Sequence, residues 1–367
     1  MKAGSGLANG PHPAPELASK AVRQALAAAG LERAAAVILF LSREFSRQPQ
    51  PAILAAARAA GCLQVFGGTA SGLFTERGWL LDQPGAAALV LENADPAPPA
   101  APIVSFSGHT TLPFAWHEGV PRLGLLDTDA AVWTHGRLAT DGCAEVRLPG
   151  QTRLAISPGL RLLGEALRID ATRGYDICRC AGQTALASLQ RNLPAELRDN
   201  IPLHQIVALR LLDQPGIPIL SANADGSLSL AEALSEGETI TWAMRQPLAA
   251  EQDMRQALRA ATMAVKAGSA TIETTAGPAT IETTAGPRVD VQKEGIFRPD
   301  CGLMFSCIGR GPLFYGDDDR DLLAFRQQFP DTPLLGAYGS GQIAPAGAQN
   351  RLFHNSVITL LIEGKHV

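Results

Sequence analysis

The feature that most limits what this chain can fold into is a passage written twice in different words, once near each end. Near the start, a helical run (Leu17 to Ala29) leads to an apolar strand (Val37 to Leu41) and a second helical run (Pro51 to Ala60). Next come a strand ending in Gly67-Gly68-Thr69-Ala70-Ser71-Gly72 and a further strand, Ala86 to Leu91. The later half repeats that order: helix Asp253 to Val265, strand Leu303 to Ile308, helix Asp321 to Phe329, the turn Gly336-Ala337-Tyr338-Gly339-Ser340-Gly341, and strand Val357 to Ile362. Both turns read Gly-x-x-x-Ser-Gly. Strand, helix, strand at this spacing is a parallel crossover unit. The segments Leu73 to Leu80 and Ala86 to Leu91 are joined through Gln83-Pro84-Gly85, which reads as an antiparallel return. The expected fold is therefore mixed α/β: two related modules with mixed β-sheets flanked by helices, related by a pseudo-two-fold internal duplication, with the glycine-rich turns facing a shared cleft.

Local signals fix several element ends. Leu17, Ala21, Val22, Ala25, Leu26 and Ala29 form one apolar stripe, and Gly30 follows where a left-handed cap is usual. Pro51 suits the first turn of the second helix, which closes at Gly61. Between the modules, turn residues recur from the proline-rich stretch Asp95 to Pro102 up to about Ile177, which reads as several short strands. A helical pattern covers Gly182 to Leu193, and Leu203 to Leu211 alternates like a strand. The nine residues Ala270 to Pro278 recur unchanged from Ala279 to Pro287, and this tandem repeat reads as a loop outside both cores.

A chain of 367 residues should hold about two domains, at roughly 150 residues each. With 46% hydrophobic and 18% charged residues it can fold without disulfides or metal. A net charge of -4 without a basic run argues against nucleic acid as a partner. The longest apolar run, Ala34 to Leu41, falls far short of the ~20 residues of a membrane span, and no secretory h-region is present, so a cytoplasmic location and no membrane association are expected. Six scattered cysteines suggest reduced thiols, and no His, Cys or carboxylate spacing marks a metal site.

Several residues could carry chemistry, each with a plainer alternative. Arg310, between Gly309 and Gly311, could clamp an anionic group or pair internally with Asp317, Asp318 or Asp319. Cys307 reads as a small core hydrophobe, or as a nucleophile if His354 serves as base. Ser71 and Ser340 lack the glycine offsets of a hydrolase elbow, so their roles, with Thr69, belong to turn geometry and to backbone N–H groups open to an anion. Tyr338 could form an aromatic wall, while Gln342 and His354 could read polar atoms. His354 could equally cap a sheet edge.

The run Ile156-Ser157-Pro158-Gly159-Leu160-Arg161-Leu162-Leu163-Gly164, followed by Gly182-Gln183-Thr184-Ala185-Leu186, resembles the junction of FIST-domain proteins. Phe305-Ser306-Cys307-Ile308-Gly309-Arg310-Gly311, Pro333 to Ile343 and Leu352-Phe353-His354-Asn355-Ser356 resemble that family's Cys-x-Gly-Arg-Gly, Gly-x-x-x-x-Gly-Glu-Ile and Leu-His-Asn segments. Gly67 to Phe74 is similar to its N-terminal Gly-Cys-Thr-x-Gly turn. The resemblance implies a FIST N-terminal module over residues 1–180 and a FIST C-terminal module over 181–367, with the repeat in a loop at 268–290. It further implies a small-ligand sensor in signal transduction, without catalysis of its own, acting through a protein partner on an amino-acid-like or other anionic or zwitterionic ligand. A haem-binding, nitric-oxide-sensing branch gives an alternative cofactor, and a thiol-dependent hydrolase or transferase using Cys307 and His354 an alternative class. Gln342 replaces the family's glutamate, and Gly68 its cysteine. The candidate ligand-binding residues are Arg310, Tyr338, Ser340, Gln342, His354, Cys307, Thr69 and Ser71.

Overall fold

The first half opens with strand β1 (Ala3–Asn9), helix α1 (Pro15–Ala29), strand β2 (Ala36–Ser42), helix α2 (Gln50–Ala60) and strand β3 (Val65–Ala70). It continues through the hairpin β4 (Gly72–Thr75) and β5 (Gly78–Leu81) to β6 (Gly85–Leu91). This computed structural model describes residues 1–93, 98, 101–211, 214–263, 297–316 and 318–364. β6 lies between β1 and β2, antiparallel to both, and β2 runs parallel to β3. α1 buries the apolar stripe legible in its sequence, and its chain reverses at Gly30, whose φ of 65° is left-handed. The helix sits close on the sheet because β1 carries glycines: a Cβ on Gly6 would lie 2.0 Å from the Ala21 carbonyl oxygen.

The middle of the chain supplies β7 (Ile103–Ser107), β8 (Arg122–Leu126), β9 (Val132–Thr134), β10 (Arg137–Leu138), β11 (Cys143–Val146) and β12 (Gln151–Ser157). β7 and β8 are parallel, β11 covers the other edge of β7, and β9 extends the first sheet beyond β3.

Residues 160–245 then close a β-barrel. Its strands are β13 (Leu160–Leu162), β14 (Leu167–Arg173), β15 (Asp176–Cys180), β16 (Gln183–Thr184), β17 (Ile206–Leu209), β18 (Ile217–Ala222), β19 (Leu228–Leu230) and β20 (Thr239–Arg245). The ring runs β20-β14-β15-β19-β18-β17 and returns to β20. Ile169, Ile177, Leu228, Ile240 and Trp242 fill it, with Leu189 of helix α3 (Ala185–Asn192) in the same cluster. The boundary expected at 180/181 falls inside this unit, where β15 pairs with β16.

The second half holds α4 (Pro247–Thr262), β21 (Cys301–Cys307), α5 (Pro312–Tyr315), α6 (Arg320–Gln328), β22 (Leu334–Gly339), the hairpin β23 (Gly341–Ala346) and β24 (Gln349–Phe353), and β25 (Val357–Glu363). β25 lies antiparallel between β12 and β21, and β21 is parallel to β22. These are the pairing senses of β1, β6, β2 and β3. In register, Gly67 lies opposite Leu39 of β2, and Gly336 opposite Met304 of β21.

One expectation fails instructively. Leu73 to Leu80 does not return onto Ala86 to Leu91: it folds into a hairpin of its own, β4 with β5, and β4 joins β22 of the other half, with Leu73 opposite Ala337. The β23–β24 hairpin likewise leaves its own sheet and pairs with β8. The two sheets and the β7–β8–β11 layer share one core in which Phe40, Phe106 and Phe305 meet edge to face at 5.4 to 6.3 Å. Among the described residues, no helix is long and apolar enough to cross a membrane. The tandem nonapeptide lies outside the described residues.

Candidate ligand-binding site

Arg310 does not face a cleft. It is 1% exposed, and its guanidinium grips Asp321 bidentately, with Nε donating to Oδ2 at 3.0 Å and Nη2 to Oδ1 at 2.8 Å. Its other donors go to the Ser157 carbonyl and hydroxyl and to the Ala250 carbonyl. Burial opposes the charge, and Asp321 outweighs that penalty, so the guanidinium is held above its ordinary value. Of the two readings open in the sequence, the internal pair is the one formed. Its partner lies just past the acidic run, and Gly159 makes room: a Cβ there would lie 2.4 Å from Nη1 of Arg310.

Tyr338 and Gln342 are also inside, both 0% exposed. The Tyr338 hydroxyl donates to Asp319, and Asp319 caps α6 by accepting from the Leu322 N–H at 2.9 Å. Gln342 donates weakly to the Gly339 carbonyl at 3.5 Å, while its Oε1 has no partner among the described residues. A wall or reading role for these two side chains in an open cleft is thereby corrected: β22 and β23 are covered on both faces, so neither alternate set of side chains reaches a cleft.

Burial, reinforced by Asp321, pushes the Asp319 carboxyl up to about 6 from 3.8, against the bonds from Tyr338 and Leu322. With the folded value above the unfolded one, the native state binds more protons between pH 4 and 6, so stability falls as pH rises through that window. Asp319→Asn keeps the capping oxygen and removes the titration. Urea melts should show wild type losing on the order of 3 kcal/mol relative to this variant from about pH 4 to pH 7. A difference independent of pH would refute the shift.

The remaining five residues gather at the carboxyl ends of the strands. Ser71 donates to Oδ2 of Asp127 at 2.8 Å, and Arg43 donates to Oδ1 at 2.9 Å. Thr69 accepts from the Ala131 N–H at 3.0 Å, and Ser340 accepts from the Thr128 N–H at 3.3 Å while donating to the Leu126 carbonyl. The two glycine-rich turns touch directly, the Ser71 N–H donating to the Tyr338 carbonyl at 3.0 Å. Asp127 is almost fully buried while Arg43 is open to solvent. A void of about 10 Å³ beside Thr69, Ser107 and Asp127 has room for one water. No motif flags Asp127 or Arg43; the signal available was an acidic residue ending the apolar run Leu123 to Leu126.

On the other flank of Ser340, exposed His354 places Nδ1 3.2 Å from the Ser340 carbonyl oxygen. Asn355, left-handed at φ 52°, turns its amide to Arg245, the last residue of β20. With its amide oxygen turned toward that group, Asn355 rests against the face of the Arg245 guanidinium. Nη1 of Arg245 donates to the His204 carbonyl at 3.0 Å. Among the described residues no carboxylate pairs with Arg245. Burial draws this half-buried guanidinium below its ordinary value, with the neighbouring Cys307 thiol pulling the other way.

Cys307 ends β21 and is 6% exposed. No hydrogen bond joins it to His354. Gly309 lets the chain pack closely here: a Cβ at 309 would lie 2.9 Å from the Asn355 amide and 3.8 Å from the Cys307 sulfur. Guanidinium and amide thus meet where the last barrel strand abuts the neighbouring sheet, with exposed His354 next to Asn355 in the chain. Sequence reasoning missed Arg245 because nothing local to β20 marks it. Among the described residues, no three His, Cys, Asp or Glu side chains come together to hold a metal ion.

Residues 185–345 match the family described as FIST C domain. An uncharacterized protein of Mycobacterium tuberculosis strain H37Rv is 25% identical over 248 residues, which is 64% of this chain and 57% of that protein. An uncharacterized protein of Mycobacterium bovis is also 25% identical over 248 residues, 64% of this chain and 56% of its own length. The chain therefore spans little more than half the length of these curated relatives. A FIST C domain is found at residues 185–345, the stretch that brings Arg245, Cys307 and Ser340 to the site.

Proposed function

We propose that the chain is a small-ligand-binding sensory protein whose ligand presents an anionic group to Arg245, beside His354, Asn355 and Cys307. The observation that carries this reading is the half-buried guanidinium of Arg245, charged and without a carboxylate partner among the described residues. A buried charge left unmatched is unfavourable, and an incoming carboxylate would relieve it. FIST C domains are generally sensory, which favours binding over turnover, and the absence of a hydrogen bond between Cys307 and His354 favours the same side. The shared pairing senses of the two sheets support reading the halves as copies of one unit, the first a FIST N module.

In this reading Arg245 also serves as the transmitter. It ends a barrel strand and holds Asn355 of the neighbouring sheet, so a ligand that competes for it would favour a different seating of the barrel, which a signalling partner in the cytoplasm could read. The test is isothermal calorimetry with a panel of amino acids and dicarboxylates. Arg245→Gln should weaken binding of any hit at least tenfold, the effect of losing a charge-assisted bond of about 1.5–3 kcal/mol, with the melting temperature kept. Equal affinity in wild type and Arg245→Gln would overturn the assignment.

A further inference from the structure

A second basic surface lies on the barrel where β13 meets the end of α3, its Arg161 next to Leu160, which pairs with Arg245. Arg161 of β13, Arg191 in the last turn of α3 and Arg198 beyond it line one depression of about 340 Å³, together with Leu162, Asn192 and Pro194. A neighbouring hollow of about 370 Å³ shares Arg191 and Asn192 and has the Glu165 carboxylate on its other side. All three arginines are exposed, and among the described residues none pairs with a carboxylate. This surface differs from a scatter of solvated arginines in one respect. Arg198 is held by the backbone, with Nε donating to the Leu193 carbonyl at 3.0 Å and Nη2 to the Arg191 carbonyl at 3.4 Å, which leaves Nη1 free. A guanidinium fixed in this way loses little further freedom when it meets a ligand. Leu162, 43% exposed, and Pro194 add an apolar wall beside the charges.

We propose that this depression is a second anion site that takes a phosphorylated small molecule, its phosphate oxygens shared among Arg161, Arg191 and Arg198 and its organic part lying along Leu162 and Pro194. Three guanidiniums within one depression match a multiply charged oxyanion better than a single carboxylate, because each planar fork can engage two oxygens. The site is independent of Arg245 and of the reading built on it.

Pyrophosphate is the probe, titrated calorimetrically into the full chain at two ionic strengths. Wild type should bind it more weakly at the higher salt. Arg191→Ala and Arg161→Ala should each weaken it at least tenfold with unchanged melting temperatures, and Arg245→Gln should leave it unaltered. No heat of binding at millimolar pyrophosphate, or equal affinity in the Arg161→Ala/Arg191→Ala double variant, overturns the proposal. Loss of binding in Arg245→Gln alone would move the phosphate to the other site and overturn it too, as would tighter binding of an acidic peptide than of pyrophosphate.

Discussion

Arg310→Ala should destabilise the protein by about 3–5 kcal/mol, the range for removing one partner of a buried ion pair. The loss exceeds that of two hydrogen bonds because Asp321 would remain, 1% exposed, with only the Tyr315 hydroxyl at 2.9 Å to solvate it among the described residues. The Ser157 and Ala250 carbonyls would lose their donors as well. Arg310→Lys should recover part of the loss, since a point charge cannot reproduce a fork that serves two carboxylate oxygens and two backbone segments. Arg310→Met with Asp321→Leu should be more stable than Arg310→Ala alone, because no unpaired charge is then left inside. Urea denaturation measures all three. A loss under about 1 kcal/mol for Arg310→Ala would mean that the pair is screened by water, as surface pairs are.

The second large effect lies where the two halves are stitched together. Phe74, on the crossing strand β4, is fully buried and directly opposite Gly336 of β22, with its ring 4.7 Å from that of Tyr338. Phe74→Ala should destabilise by about 3–5 kcal/mol, from lost burial and the cavity left behind. Gly336→Ala fails for the opposite reason: its Cβ would lie 2.0 Å from the Phe74 ring, an overpacking worth about 1–3 kcal/mol. The double variant should then be destabilised by less than the sum, because the new methyl enters the space the ring vacated. Strict additivity in that cycle would show that Phe74 and Gly336 do not share a contact.

What the sequence determined by itself was local. The stripe Leu17 to Ala29 with Gly30, Pro51 with Gly61, and the apolar runs at Val37 to Leu41, Leu303 to Ile308 and Val357 to Ile362 became elements with ends shifted by only a residue or two. Helix periodicity and left-handed glycine caps depend on neighbours a few positions away, so the order of elements in both halves was readable. The positions of several candidate residues were readable on the same grounds. Thr69, Ser71, Ser340, Cys307 and His354 sit at or just beyond strand ends, where their turns place them.

The tertiary structure decided which edges are joined and which side chains face inward. β4 could have closed on its own sheet as far as its residues tell, and the choice of β22 rests on which edge presented unpaired N–H and C=O groups at the right distance. Closure of the barrel, with Leu209 opposite Thr241, is likewise set by geometry between distant segments. Arg310 carries the same local signature whether it clamps a ligand or a carboxylate. Ser157, Gly159 and Ala250, far away in the chain, surround it and settle the matter, while Asp127 and Arg245 enter the site from segments with no motif at all. Burial and ionic pairing depend on the summed surroundings of a side chain, and those surroundings exist only once the chain has folded.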